Sequence, residues 1–371
     1  MKTVIDLFSG CGGFSVGFQQ AGFKIVKAVE FDKQIAQSYI RNHSDTQMLA
    51  EDIGKVDNEN YFSEHEADVI IGGPPCQGFS MSGERIRKKS LKEDSRNYLF
   101  KHYLNVVKIV KPEFFIFENV KGILTMKDGE IFNEILNEFS NKKNFEGVKY
   151  FVSHRIVKAV EFGIPQKRER VIIFGSRNKN IDFNNYFEKT LQKFQNEKPV
   201  FLKPATVWDA ISNLPQPSEN GEIKNPKKTT NYQKQLSSQK QIITNHYFPN
   251  HSKKAIERMK QIKNGENWTS LKDDIKSVHS GSYGRLEKED VAPTIVTRFD
   301  TPSGGKFIHP TENRTLTPRE AARIQSFPDD FVFTGTKSSI CKQIGNAVPP
   351  KLAYFLAEII KEIYDNNTAK T

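Results

Sequence analysis

The sequence predicts an α/β fold with a doubly wound, mostly parallel sheet, interrupted by a smaller loop-rich module. Two features of the 371-residue chain predict it. Residues 1–175 alternate short apolar runs with stretches of helical period, a βαβα order that right-handed crossovers wind into a parallel sheet. From about Asn178 the texture changes. Asn, Lys, Gln, Ser and Pro dominate through about Thr315, with turn clusters at Leu214-Pro215-Gln216-Pro217 and Lys224-Asn225-Pro226-Lys227. Helix-and-core texture returns after Thr317. The expected organisation is one discontinuous domain, 1–177 plus 316–371, holding an inserted module over 178–315.

Residues 3–8 read as the first strand, stopped by the turn Ser9-Gly10-Cys11-Gly12-Gly13 and followed by a helix to about residue 21. A second strand is expected over 24–30 and a helix over 33–42. Later strands are expected at 69–71, 114–118, 151–157 and 171–174. Between them, 96–110 has an amphipathic period through Leu99, Tyr103, Val106, Val107 and Val110. In the module, Ala255, Ile256, Met259 and Ile262 mark a helix near 253–263. Thr317 then N-caps a helix opened by Pro318, and 352–363 reads as an apolar terminal helix.

The formal charge is +11, and residues 176–315 hold 23 Lys and Arg against 15 Asp and Glu, so most of the excess lies in the module. That balance points to a polyanionic partner. Cys11, Cys76 and Cys341 are widely spaced, with no paired or His-flanked pattern, which argues against a zinc site or disulfide framework and fits a reducing compartment. No signal-peptide pattern opens the chain and no apolar run approaches membrane-spanning length. The expectation is a soluble cytoplasmic protein without a metal.

Cys76 lies in Gly72-Gly73-Pro74-Pro75-Cys76-Gln77-Gly78-Phe79-Ser80, just past a short apolar strand. Two prolines must end that strand, and ligands of such sheets bind outside the carboxyl ends of the strands. A catalytic thiol and a small buried hydrophobe are both open readings of this residue. The glycine turn after the first strand suits a nucleoside, but counting from Gly10 a dinucleotide fingerprint would need glycine where Ser15 stands. Glu30 ends the second strand, where an acid suits a ribose hydroxyl. Phe31 is placed to cover an adenine, and Asp52 to accept from an exocyclic amine. Together they describe a nucleoside cofactor without a diphosphate. Glu118 ends another apolar strand on the rim that carries Cys76, as an acid/base candidate or a salt-bridged cap. Alternation sends Arg168 and Arg170 to one face of the strand entry at Gln166-Lys167-Arg168-Glu169-Arg170.

These blocks resemble the ordered motifs of the DNA (cytosine-5) methyltransferases, and the bacterial restriction–modification type in particular. The match runs through residues 6–17, Val29-Glu30-Phe31-Asp32, Glu51-Asp52-Ile53, 72–80, Asp94-Ser95-Arg96-Asn97 and Glu118-Asn119-Val120. It continues through 166–170, 316–323 and Gln343-Ile344-Gly345-Asn346-Ala347-Val348-Pro349-Pro350. Only about 178–295 carries no family-wide motif. The loop after Cys76 is somewhat long, and the cofactor-stacking position holds Phe31.

The resemblance implies a Rossmann-like catalytic domain that uses S-adenosylmethionine, yields S-adenosylhomocysteine and needs no metal. It implies that the Cys76 thiolate adds to carbon 6 of cytosine and makes carbon 5 nucleophilic. Glu118, retaining a proton, would bind N3 and the amine, Arg170 the carbonyl oxygen, with Arg168 nearby. Phe8, Gly10, Gly12, Glu30, Phe31, Asp52, Pro74 and Asn346 would hold the cofactor. The base must be flipped out of the duplex. Ser80, Arg85, Arg87 and Arg96 would contact DNA from a lid, and 178–315 would be the target recognition domain, with Arg285 and Arg298 as base readers or as supports of the hinge. The partner implied is double-stranded DNA, the state a monomer, the place the nucleoid, and the companion a cognate restriction endonuclease without stable contact. Rival readings are an RNA cytosine-5 methyltransferase, a catalytically silent DNA-binding relative and a nicotinamide oxidoreductase, the last disfavoured by Ser15.

Overall fold

The computed structural model describes residues 1–75, 99–271 and 280–368. The chain forms two compact units. The first comprises Met1–Val157, Glu169–Lys193 and Ala353–Thr371, the second Lys158–Arg168 and Phe194–Leu352.

The first unit is built on β1 (Thr3–Leu7), β2 (Lys24–Val29), β3 (Gln47–Leu49), β4 (Val69–Gly72), β5 (Phe114–Val120), β6 (Phe151–Lys158) and β7 (Glu169–Ser176). Their order across the sheet is β3-β2-β1-β4-β5-β7-β6. β1 pairs in parallel with β2 and β4, and β4 with β5, while β7 runs antiparallel to β5. This is the doubly wound, mostly parallel sheet that the βαβα order predicts. Continuous apolar runs such as Val69-Ile70-Ile71 suit strands covered on both faces, and all three are fully buried. The chain lays β2 and β3 on one side of β1, then returns to place β4 and β5 on the other. The order therefore reverses at β1, opening a crevice outside the carboxyl ends of β1 and β4.

Helix α1 (Gly13–Gln20) follows β1 and α2 (Lys33–Asn42) follows β2. α3 (Leu99–Val110) and α4 (Glu130–Ser140) pack Tyr103 and Phe139 edge-on against Phe117 of β5. A Cβ added to Gly17 of α1 would lie 2.3 Å from the Tyr354 amide nitrogen and 2.5 Å from the Ala353 Cβ, so glycine sets how closely α1 approaches the terminal helix (Pro350–Thr368).

The second unit is loop-rich, as its texture predicts, but its limits differ from 178–315. Residues 316–352 fold with it because the helix Pro318–Ile324 finds its partners there. The helix opens with the expected Thr317 cap, and Arg323 pairs with Asp329 at 2.7 Å while donating to Asn213 Oδ1 at 2.6 Å. Gln166-Lys167 likewise pairs with Ala292-Pro293, carrying Lys158–Arg168 into this unit. Composition marked where polar loops begin; the boundary lies where their buried partners end. Among the described residues, no helix is long and apolar enough to cross a membrane, and no His, Cys, Asp and Glu group is arranged to hold a metal ion.

Gly17→Ala is expected to destabilise the first unit by about 1–3 kcal/mol through overpacking, read as a lowered denaturant midpoint.

Candidate functional site

The loop after β1 is held in left-handed backbone at Phe8 (φ 55°), Gly10 (φ 56°) and Gly12 (φ 100°). At Gly12 a Cβ would also sit 2.3 Å from His43 Nε2, so this position tolerates only glycine on two counts. Glu30, just past β2, anchors the loop. Its Oε2 accepts the Gly10 N–H at 2.9 Å and its Oε1 the Asp32 N–H at 2.8 Å. Burial raises this carboxyl above its ordinary range, against the opposing effect of those amides. Beside it the Phe31 ring is 71% exposed, an unusual position for a large aromatic. Asp52 follows β3 and accepts the Gly54 N–H at 2.9 Å. Phe8, Gly10, Gly12, Glu30, Phe31 and Asp52 thus follow β1, β2 and β3 on the carboxyl rim. Pro74 follows β4, and its carbonyl accepts from Asn119 Nδ2 at 3.0 Å. Asn346 ends the helix Lys337–Asn346 of the second unit, with its residue exposed.

Beneath the loop lies Asp6, 1% exposed, an acid inside the apolar run of β1. The Ser15 hydroxyl donates to its Oδ2 at 2.6 Å and lies 2.7 Å from the Tyr39 hydroxyl, while Oδ1 has no hydrogen-bond partner among the described residues. Burial pushes the Asp6 carboxyl up to about 7, with Ser15 opposing and the Glu30 charge adding. Sequence reasoning weighed Ser15 only as a missing glycine. The signal it passed over was the carboxylate in an otherwise apolar strand.

On the other side of the crevice the antiparallel register sets Glu118 opposite Ile172 and Val120 opposite Arg170. Arg170 Nε comes within 2.7 Å of Glu118 Oε1, with side chains 12% and 10% exposed. Gly73 closes this carboxylate from the β4 side, since a Cβ there would lie 2.7 Å from Glu118 Oε2. The expected acid and Arg170 are brought together. Cys76, Ser80, Arg85, Arg87 and Arg96 lie outside the described residues.

Two arginines are corrected. Arg168 does not share a face with Arg170. The strand breaks at Arg168, whose 2%-exposed side chain donates to the carbonyls of Gly345 (3.1 Å) and Ala347 (2.9 Å) in the second unit. It ties loops together rather than facing a substrate. Arg285 is no base reader. Its Nε donates to Ile262 O, Nη1 to His309 O and Glu312 O, and Nη2 to Met259 O and Asn313 Oδ1, at 2.6–2.8 Å. A guanidinium has five N–H donors, and all five are used. Arg298 is exposed.

A glycine loop with an anchoring acid, a bare aromatic beside it and a carboxylate–arginine pair across the rim together fit one chemistry, and the family model for C-5 cytosine-specific DNA methylase matches residues 2–362. The chain belongs to that family. The methylase is 34% identical over 368 residues to the type II methyltransferase M1.HphI of Haemophilus parahaemolyticus, covering 98% of this chain and 88% of the relative. It is also 34% identical over 392 residues to the type II methyltransferase M.DdeI of Desulfomicrobium norvegicum, with 98% and 89% covered. Among solved structures, one described as a DNA modification methyltransferase encoded within an E. coli prophage superposes with TM-score 0.71 at 29% identity, covering 98% of this chain and all of that one.

Gly73→Ala is expected to displace the Glu118 carboxylate, slowing methyl transfer at least tenfold while cofactor affinity, measured by calorimetry, stays near that of the parent. Arg285→Ala strands buried carbonyls and is expected to lower the unfolding midpoint, by several kcal/mol in stability. The salt dependence of DNA binding, which a phosphate contact would change, is expected to stay the same.

Proposed function

We propose that the methylase transfers the methyl group of S-adenosylmethionine to carbon 5 of a cytosine flipped out of double-stranded DNA, as the modification enzyme of a type II restriction–modification system. The observation that carries this reading is the Glu118–Arg170 pair, set on the rim beside the loop that leads to Cys76.

The rim also suits the cofactor. Asp6 is a buried carboxylate and Glu30 a half-buried one, and among the described residues no basic side chain hydrogen-bonds either, an environment that favours a cationic sulfonium ligand. Phe8, Gly10 and Gly12 would admit the ligand against the backbone, Glu30 would take the ribose hydroxyls, the exposed Phe31 face would cover the adenine and Asp52 would accept from its amine. Pro74 completes the proposed set on this rim. S-adenosylmethionine, when bound, supplies an electrophilic methyl group.

The protein's own groups prepare the base to receive it. Cys76, as thiolate, adds to carbon 6, and a proton held by Glu118 passes to N3 as negative charge develops on the ring. Arg170 spends Nε on Glu118 and one Nη1 bond on the Glu169 carbonyl, and its Nη2 is assigned to the cytosine carbonyl oxygen. Once carbon 5 carries the methyl group, loss of its proton restores the ring double bond and expels the Cys76 thiolate from carbon 6. The second unit would track the duplex through its exposed lysines, with base reading by side chains other than Arg285. The chain would act as a monomer in the cytoplasm, at the nucleoid, alongside an endonuclease of the same sequence specificity.

Cys76→Ser is expected to abolish methylation of duplex DNA while leaving S-adenosylmethionine affinity nearly unchanged. Bisulfite sequencing of DNA from expressing cells would show the product, and retained turnover in the variant would overturn the assignment.

A further inference from the structure

His102 lies one turn into α3, outside every motif that the family resemblance uses. Its Nδ1 is 2.8 Å from Asp57 Oδ2, and Asn105 Nδ2 holds the same aspartate through its carbonyl at 2.6 Å and its Oδ2 at 3.2 Å. Asp57 is therefore held in place, and its pairing with Nδ1 leaves Nε2 as the ring nitrogen that Asp57 does not engage. The imidazole lies close against Gly54, an approach that glycine permits. A Cβ on Gly54 would meet His102 Cε1 at 3.1 Å, His102 Nε2 at 3.5 Å and Asp52 Oδ1 at 3.5 Å. The imidazole edge and the Asp52 carboxylate are thus neighbours on the proposed cofactor rim, with the His102 side chain 38% exposed.

We infer that His102 is a further cofactor-binding residue, reading the exocyclic amine of the adenine with Nε2 while Asp52 takes the other proton of that amine, and that Asp57 is the positioning residue that holds the imidazole in this role. An amine has two protons to give, and a single carboxylate oxygen beside Gly54 satisfies only one. The inference rests on the cofactor placement proposed above. It adds a source of base selectivity, because a 6-oxo purine would set an oxygen lone pair against Nε2.

The test uses the full-length enzyme with S-adenosylmethionine and with its hypoxanthine analogue, S-inosylmethionine. His102→Ala is expected to raise both the Kd for S-adenosylmethionine, measured by calorimetry without DNA, and its KM roughly five- to twentyfold, the loss of one hydrogen bond, with kcat at saturation within about twofold. The preference for the adenine cofactor over the hypoxanthine one should shrink by a similar factor, and His102→Gln should restore part of it. Asp57→Asn, which frees the ring to turn, should reproduce the selectivity loss in milder form. If the His102→Ala and Asp57→Asn enzymes keep the parent's KM and selectivity, or lose only stability, the inference fails. If the parent itself binds no S-adenosylmethionine, the cofactor placement fails instead.

Discussion

The site depends on where β1 sits in the sheet. With parallel neighbours on both sides, β1 cannot be joined to β4 by a short turn, so the chain must finish one half of the sheet before starting the other. The loops after β1 and β4 consequently leave in opposite directions, and the gap between them is the crevice. The glycine turn, Glu30 and Asp52 come from one half, Pro74 and Glu118 from the other. The antiparallel β7 then adds Arg170, because only a strand entering the sheet from that rim brings its first residues beside the last residues of β5.

Charge is distributed unevenly along the chain. Among the described residues, the rim of the first unit keeps the buried Asp6 and the half-buried Glu30 near each other without a basic side chain bonded to them, at a cost in stability above the pH where Asp6 ionises. Folding holds the Asp6 proton more tightly than the unfolded chain does, so this contribution falls as pH rises from the unfolded carboxylate range through about 7. A cation bound against these carboxylates offsets that cost. The basic excess lies instead in the segment 176–315, where it suits a polyanion.

Arginine holds the second unit together. With few strand ladders to satisfy loop carbonyls, Arg168, Arg285 and Arg319 are buried and turn their guanidinium groups onto main-chain oxygens, Arg319 reaching Thr244 O at 2.9 Å and Phe331 O at 2.6 Å. Each such side chain satisfies several carbonyls that burial would otherwise leave unpaired. Arg323 instead neutralises Asp329, with no exposed side-chain surface on either partner. Arginine abundance in this part of the chain therefore overstates the number of cations free to meet DNA.

The sheet, its crevice and the residue types on its rim were legible in the sequence, because apolar runs, prolines and glycines act over a few residues and their order along the chain fixes which loops share a rim. The helix over 33–42 and the Thr317 cap followed from the same local rules. α4 and the helix Phe183–Glu197 were not read, although their periodicity was there to find. Tertiary structure alone decided the fates of Arg168, Arg170 and Arg285. Alternation predicts a shared face only while a strand stays continuous, and the break at Arg168 sends two neighbouring arginines into different units. Arg285 meets Asn313 and His102 meets Asp57 across 28 and 45 residues. A hydrogen bond that spans such a separation leaves no mark in local sequence; it exists only once the backbone has closed around it.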